Sequence, residues 1–378
     1  MIDSNICHSN ALPTRSLDQS LFDESEKNLF IQSQKIIVEI IQRELSENEE
    51  EQLSTLLFKT FHDYTNKLLN SYDEQNNFRS TRNFMTIPSH SQPNFSNNSP
   101  MINIYIPYNI STIKWGLFYE CSSLKNVSIS NITTVIESNA FYRCSSLSNI
   151  NIPNNVSTIG SNVFYECSSL KCINIPNNVS VIGSWSFYKT NITKIDLPDN
   201  LNIIEEHLFD FCLELISIKI PENITTIKSF AFSNCQKLKN INLPDNINNM
   251  YDSIFYCCYN LTELILPKQI EYIGSQIICN CNKIKNITIP KNLKRISTYW
   301  SNYCPFTGSS LEKVTFEEGT TKILECMLCG PIRTLTDIIL PESLLTIESH
   351  AFRECSSLTY INIPNNVSVI GSWSFYKT

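Results

Sequence analysis

Cysteine is the residue type in this sequence whose number and spacing could support chemistry. The chain contains 15 cysteines. Eight of them recur at one position of a repeat, where Thr190 substitutes once: Cys121, Cys144, Cys167, Cys212, Cys235, Cys258, Cys281 and Cys355. Such a row could form disulfides or bind metal, or it could be a ladder of small buried thiols. Stacked residues would lie within disulfide range, about 5 Å apart at Cα, but their side chains would point the same way. We therefore predict buried thiols.

A separate CxxC pair is formed by Cys326 and Cys329. Structural zinc normally needs a second such pair or nearby histidines. Neither Cys279 with Cys281 nor the Cys257–Cys258 pair completes a zinc site convincingly. We therefore predict no metal site and no cofactor.

Catalytic constellations are missing from the sequence. The five histidines are scattered and match no triad or metal spacing: His8, His62, His90, His207 and His350. Neither a GxxxxGK[ST] phosphate loop nor a GxGxxG motif occurs. The adjacent Glu205 and Glu206 are more typical of solvated residues than of an acid/base pair. The sequence thus predicts a protein that is not an enzyme.

Asn-x-Ser/Thr sequons are abundant. They begin at Asn94, Asn97, Asn109, Asn126, Asn131, Asn155, Asn178, Asn191, Asn223, Asn260, Asn286 and Asn366. They could mark a glycosylated ectodomain, or the repeat's own Pro-Asn-Asn-Val-Ser turn could create them by accident. Because the N-terminus lacks the apolar segment of a secretory signal, the second interpretation is favoured.

These residues sit in a repeat with a period of roughly 23 residues. Residues 150–167 match residues 173–190 almost completely, and a marker proline recurs through the chain. The prolines are Pro107, Pro153, Pro176, Pro198, Pro221, Pro244, Pro267, Pro290, Pro341 and Pro364, with Ser130 and Glu317 at two positions where proline is missing. The pattern predicts about twelve repeats over residues 102–378.

Each repeat has the features of one coil of a solenoid. Ile173 and Ile175 alternate with polar residues, which predicts a half-buried strand that ends at Pro176. A bend is expected at Gly183. One unit cannot bury its own apolar face, so the coils must stack. A buried spine is predicted from Phe118, Phe141, Phe164, Phe187, Phe209, Phe232, Phe255, Phe352 and Phe375, with Ile278 substituting once.

The repeat resembles a known family. The pattern Cys-Ser-Ser-Leu-x-x-Ile-x-Ile-Pro-x-x-Val-x-x-Ile-x-x-x-x-Phe is similar to the BspA-like leucine-rich repeats of microbial surface proteins, over about residues 102–378. The resemblance implies a leucine-rich-repeat solenoid. It also implies display at the cell surface and adhesion to host matrix proteins or to other cells.

The N-terminal region differs from the repeats. Apolar residues at helical spacing predict an α-helical hairpin over residues 1–72, with helices at about 20–45 and 47–70. Ser46 and Glu49 fit a capping box between the helices. Residues 73–101 are rich in Asn, Ser and Pro, which predicts a flexible linker.

Charge and hydropathy limit the partners and the location. The net charge is −7 and no basic stripe occurs, so nucleic acid is not an expected partner. The sequence contains no run of about 18 apolar residues, so no transmembrane helix is expected. The missing signal segment and unpaired cysteines favour the cytoplasm, whereas the family resemblance favours the cell surface. We expect a non-catalytic solenoid that binds protein partners, with adhesion at the surface or intracellular scaffolding as its two possible roles.

Three features of the solenoid could provide contact surfaces, although the sequence does not identify ligand-binding residues. One is the aromatic stretch within residues 297–310. Its residues Tyr299, Trp300, Tyr303 and Phe306 could protrude as a contact, but the favoured interpretation is that they tuck back and plug the irregular coil. Another is the C-terminal repeat, because residues 361–378 are identical to residues 173–190 and no capping unit follows them. Either the chain is a fragment, or its open end packs on a partner, and an exposed strand edge there would favour self-association. The third is the outward face of the main sheet, with Asn151, Asn174, Asp196, Lys219, Asn242, Thr288 and Asn362 flanked by Asn149, Lys194, Asn240, Glu263, Asn286, Lys313 and Tyr360.

Overall fold

A computed structural model describes residues 84–86 (backbone only), 101–106, 110–297 and 304–378. The chain divides into two units, residues 1–80 and 81–378, and every described residue belongs to the second. The predicted helical hairpin over residues 1–72 lies outside the described residues. The part of the chain that the structure describes contains no helix with the length and apolarity needed for a membrane span.

The described residues form a solenoid of strands and turns, and they contain no helix. One row of strands, the main row, comprises Phe84–Thr86, Asn103–Ile106, Asn126–Ile129, Asn149–Asn151, Lys194–Asp196, Ser217–Lys219, Asn286–Ile289, Lys313–Phe316 and Asp337–Ile339. The second row consists of two-residue strands: Thr112–Ile113, Val135–Ile136, Thr158–Ile159, Val181–Ile182, Ile203–Ile204, Thr226–Ile227, Asn249–Met250, Tyr272–Ile273, Arg295–Ile296, Lys322–Ile323, Thr346–Ile347 and Val369–Ile370.

All strand pairs are parallel, and equivalent residues of successive coils face each other. Ile104 pairs with Val127 in the main row, and Ile204 pairs with Ile227 in the second row. All four side chains are buried, because alternate residues of each strand point into the coil. Around residues 173–175 the chain keeps this alternation without forming a regular strand, since both isoleucines are buried while Asn174 is exposed.

The solenoid has about eleven turns, rather than the twelve expected, and its sheet begins before residue 102. The count differs because the twelve marker positions from Pro107 to Pro364 enclose eleven full intervals. The early start is the strand Phe84–Thr86, which pairs with Asn103–Ile106 although it lies in the predicted linker. A sheet edge offers backbone hydrogen bonds, and Phe and Thr favour an extended chain.

The predicted phenylalanine spine is confirmed. Its members from Phe118 to Phe255, together with Phe352, are fully buried, and Phe375 is partly buried. Successive rings lie nearly parallel with centroids 5.2–5.9 Å apart. The structure adds two members in the irregular coils, Phe306 and Leu328, which are also fully buried. Burial of each such side chain contributes about 1.5–3 kcal/mol.

The cysteine ladder is also confirmed as a row of buried thiols. The Sγ–H of Cys235 donates to the carbonyl oxygen of Phe209, one coil earlier, at 3.2 Å. The same bond, at 2.9–3.2 Å, is made by Cys144, Cys167, Cys212, Cys258, Cys281 and Cys355. Burial raises the pKa of the Cys212 thiol to about 12. These thiols are therefore neutral hydrogen-bond donors of the scaffold.

Two identical segments differ in burial. Residues 173–190 lie between neighbouring coils, whereas residues 361–378 have a described coil on one side only. Ile182 is 1 % exposed while its counterpart Ile370 is 53 % exposed, and Trp373 is 60 % exposed. Self-association through this last coil stays a prediction.

Candidate functional site

The outward face of the main sheet is exposed, as the strand alternation predicted. Part of it bonds to itself: Asn149 donates to Asn126 at 2.7 Å, and Asn126 donates to Asn103 at 2.5 Å. Lys313 and Asp337 form a 2.8 Å ion pair farther along. This face is an ordered polar surface, and its strands hold the coils in register.

The aromatic stretch within residues 297–310 is only partly described. Phe306 is fully buried in the spine, as expected if this stretch tucks back into the irregular coil, and it does not protrude as a contact residue. The reason is its register, because it fills the position that Ile278 and Leu328 fill in neighbouring coils. Tyr299, Trp300 and Tyr303 lie outside the described residues.

A row of stacked tyrosines runs along one corner of the first coils. Tyr119, Tyr142, Tyr165 and Tyr188 each follow a spine phenylalanine in sequence. Neighbouring rings in this row have centroids 4.6 Å apart and are inclined by 5–20°. Each tyrosine is half-buried. Four rings stacked in this way form a rigid and partly apolar strip.

A row of alternating charges runs beside the tyrosines. Arg143 contacts Glu120 at 3.2 Å and Glu166 at 2.9 Å, and Lys189 contacts Glu166 at 3.0 Å. All four residues have positive φ angles of 52–56°. L-residues rarely adopt this left-handed conformation, so the same unusual corner presents one charged side chain per coil. We call these four residues and the four tyrosines the tyrosine–charge ladder.

Hydrogen bonds between the charged residues of the ladder favour the ionised forms of Glu166 and Arg143. Burial tends to raise the pKa of Glu166, but hydrogen bonds from Lys189 and Arg143 outweigh it, so the pKa lies below its ordinary value. Hydrogen bonds to Glu120 and Glu166 raise the pKa of Arg143. Arg143 also lies 5.3 Å from the ring centre of Tyr142, within the range of a cation–π contact.

The ladder borders a groove with an apolar end. Ser122, Ser145, Ser168 and Asn191 line the groove with the four charged residues, and Phe211 and Leu213 complete it. Phe211 and Leu213 are 37 % and 40 % exposed. Lys189 lies 5.8 Å from the Phe211 ring centre. The spine predicted from the sequence contains only the phenylalanine of each Phe-Tyr pair. The sequence signal for the ladder is the tyrosine that recurs after each of these phenylalanines. In four successive repeats it is followed by Glu120, Arg143, Glu166 and Lys189.

Several sequon asparagines have a structural role. Five of them donate a hydrogen bond of 2.5–3.0 Å from Nδ2 to a main-chain carbonyl oxygen one coil earlier. They are Asn155, Asn178, Asn223, Asn260 and Asn366. A glycan is attached at this nitrogen atom. The geometry therefore supports the interpretation that the repeat itself creates these sequons.

The structure brings a third cysteine to the CxxC pair. The Sγ atoms of Cys304, Cys326 and Cys329 lie within 4.8 Å of one another, and all three residues are buried. In the sequence, the candidate partners for this pair were the cysteines at residues 257–281. Cys304 was missed because it lies in the irregular stretch, where the repeat spacing does not give its position.

The fold and these sites can be compared with known proteins. The family model described as "BspA type Leucine rich repeat region (6 copies)" matches residues 86–216, 202–328 and 301–378. A leucine-rich repeat protein from Bacteroides ovatus is 23 % identical, with a TM-score of 0.53 over 74 % of this chain and 85 % of that one. A leucine-rich repeat protein from Eubacterium ventriosum is 22 % identical, with a TM-score of 0.45 over 73 % and 82 % of the two chains.

A leucine rich cell surface protein from Faecalibacterium prausnitzii is 19 % identical, with a TM-score of 0.37 over 78 % of this chain and 89 % of that one. Curated proteins give no match. The family model covers well over half of the sequence, and the Bacteroides structure has the same fold. The chain therefore belongs to the BspA type leucine-rich repeat family.

Proposed function

We propose that this protein is a non-catalytic, adhesion-type interaction protein of the cell surface, and that it binds a protein partner through the tyrosine–charge ladder. Membership of the BspA type family supports the role in protein binding. The surface location rests on the family resemblance.

The observation that carries this proposal is the preorganised surface of the ladder. Tyrosine and arginine are enriched among the residues that dominate protein interfaces. Here the rings are already stacked, and Arg143 is held by two carboxylates. A partner would therefore immobilise few additional side chains on binding, which lowers the entropic cost of association.

Phe211 and Leu213 give the same surface an apolar end. A protein partner with an apolar anchor and adjacent charged or amide groups would match it. The alternating signs of the four charged residues favour a partner of mixed charge over a polyanion.

An intracellular scaffold is the second candidate function. The seven ladder thiols that donate hydrogen bonds to carbonyl groups favour it, because cysteines in thiol form are typical of reducing compartments. The fold would serve equally well in that role, and the partner would then be an intracellular protein.

Binding to purified matrix proteins and to intact cells tests the proposed surface. The full chain would be compared with the Tyr142→Ala/Tyr165→Ala double variant, with Lys268→Ala as control because Lys268 lies at an exposed position outside the ladder. We expect the double variant to lose at least about tenfold in affinity while the control binds normally. Circular dichroism melting would confirm that both variants are folded. Equal binding by all three proteins would refute the ladder as the contact surface.

Surface biotinylation of intact source cells tests the location. Labelling of lysines on the exposed corners, such as Lys189 and Lys268, is the result expected for surface display. Protection of every lysine until the cells are lysed would reject the adhesion role and leave the scaffold.

A further inference from the structure

Three thiols meet where the repeat is least regular. Cys304, Cys326 and Cys329 are 1 %, 7 % and 1 % exposed. Seven thiols of the cysteine ladder donate to carbonyl groups of the preceding coil. The thiols of this cluster instead lie against one another, with all Sγ atoms within 4.8 Å.

The cluster has a neighbouring imidazole. A ring nitrogen of His350 and a carboxylate oxygen of Glu325 lie within 4.8 Å of the Cys326 Sγ. The amide of Cys326 donates to the carbonyl of Ser349 at 3.2 Å, so Cys326 and His350 occupy the same corner of adjacent coils. The potential ligands therefore come from three successive coils of the solenoid.

We propose that Cys304, Cys326, Cys329 and His350 bind one zinc ion in a tetrahedral site. A Zn–S distance of about 2.3 Å places thiolate sulfurs about 3.8 Å apart. The three thiols reach that spacing if each pair moves closer by about 1 Å or less. Thiolate ligands select zinc or another soft cation, whereas magnesium and calcium need oxygen ligands. Three cysteines with one histidine are a common set for structural zinc.

His350 is a better fourth ligand than Glu325. The glutamate is exposed, whereas the histidine is partly buried beside the cluster. A carboxylate would also add a fourth negative charge to the site. Imidazole is neutral when it ligates, so it completes the tetrahedron without that charge.

Binding would displace three thiol protons to solvent, which leaves a net charge of −1 on the zinc with its three thiolates. The buried Nε of Arg353 makes no hydrogen bond among the described residues, and its charge would offset the negative site.

The surrounding backbone already joins the ligands. The amide of Cys304 donates to the Thr307 hydroxyl oxygen at 3.0 Å, and this hydroxyl donates to the carbonyl of Cys329 at 3.2 Å. The spine positions Ile278 and Phe306 are 28 residues apart, against 22 or 23 in the regular coils. Zinc would thus stabilise the coil between Ile278 and Phe306, whose extra residues interrupt the regular contacts between coils.

Metal content and cobalt substitution test the site. The full chain would be purified under reducing conditions, and its zinc content would be measured by elemental mass spectrometry. We expect one zinc ion per chain, lost in Cys304→Ser, Cys326→Ser and Cys329→Ser and retained in Cys172→Ser, whose cysteine is exposed and outside the cluster. Cobalt(II) should give the sulfur-to-cobalt absorption band and the ligand-field bands of a tetrahedral thiolate site.

Chelation of the wild-type chain separates zinc binding from misfolding of the variants. A chelator should lower the melting temperature of the wild type and of Cys172→Ser, and added zinc should restore it. His350→Ala should bind zinc more weakly, and Glu325→Gln should bind it normally. Normal zinc binding by His350→Ala together with weaker binding by Glu325→Gln would overturn the choice of His350 as the fourth ligand. A wild-type chain that takes up no stoichiometric zinc, or that forms a Cys326–Cys329 disulfide under the same reducing conditions, would overturn the site.

Discussion

The side-chain nitrogen of Asn178 donates a 2.6 Å hydrogen bond to the main-chain carbonyl oxygen of Asn154, one coil earlier. The same bond is made at several equivalent positions two residues after a marker proline, as at Asn223 and Asn246. The marker turn therefore connects the coils as well as reversing the chain. A carbonyl group that the strand rows leave unpaired receives its donor from this side chain.

Asn178→Asp should weaken the solenoid, because a carboxylate cannot donate to the Asn154 carbonyl. We expect a loss of about 0.5–1.5 kcal/mol in the free energy of unfolding, typical of a single hydrogen bond. Chemical denaturation would measure it. Asn177→Asp, at the adjacent exposed turn position, is the matched control, and an equal loss there would indicate a charge effect rather than the inter-coil bond.

Phe232→Ala should remove one ring from the buried spine. The side chain is fully buried between Phe209 and Phe255, with ring centroids 5.6 and 5.7 Å away. The expected cost is about 3–5 kcal/mol, the range for large-to-small changes that leave a cavity. Phe211→Ala, at a partly exposed position, should cost much less. A change below about 1 kcal/mol at Phe232 would show that the spine is not the core.

Gly183→Ala should be destabilising although it adds a single methyl group. A Cβ atom at this position would lie 2.4 Å from the backbone nitrogen of Ser161 in the preceding coil. Two backbones would have to separate, so we expect a cost of about 1–3 kcal/mol. Thermal melting beside Ser168→Ala, an exposed control, would measure it. Unchanged stability would mean that adjacent coils can move apart freely at this bend.

Glu166→Gln should alter the pH dependence of stability. The pKa of Glu166 is depressed below the ordinary 4.5 by its hydrogen bonds to Lys189 and Arg143, so the unfolded chain binds this proton more readily. The stabilisation is therefore complete above about pH 4.5 and is lost as the pH falls through the folded-state pKa.

Melting curves would be recorded from pH 7 down through this range. At pH 7 the free energy of unfolding of the wild type should exceed that of the variant by about 1 kcal/mol or less. The difference should shrink in acid and in high salt. Glu263→Gln, on the exposed sheet face, serves as control. A difference between wild type and variant that stays constant down to pH 2 would contradict the electrostatic assignment.

Much of the scaffold could be predicted because each coil repeats the same chemistry. The in-and-out alternation at residues 173–175, the spine and the thiol ladder all follow from period and hydropathy. Phe306 and Cys304 could not be placed in this way, since the longer irregular coil breaks the register that positions other residues. The open alternatives for Phe306 and the missed thiol cluster share this cause.

The tyrosine–charge ladder was hidden for a different reason. Its contacts join residues 23 positions apart, such as Glu120 and Arg143, so no local window contains an interacting pair. Aligning the repeats beneath one another places the tyrosines in one column and the alternating charges in the next. The close ring stacking and the left-handed corner require the three-dimensional structure.

The two identical segments allow the stabilising effect of a neighbouring coil to be measured within one protein. Apart from their first and last residues, the segments 173–190 and 361–378 have equal intrinsic rates of amide hydrogen exchange, because those rates depend on the adjacent side chains. A difference in protection between Ile182 and Ile370 would arise from the neighbouring coil, which buries one and leaves the other 53 % exposed. Such a comparison would give the coupling free energy between adjacent repeats without a mutation.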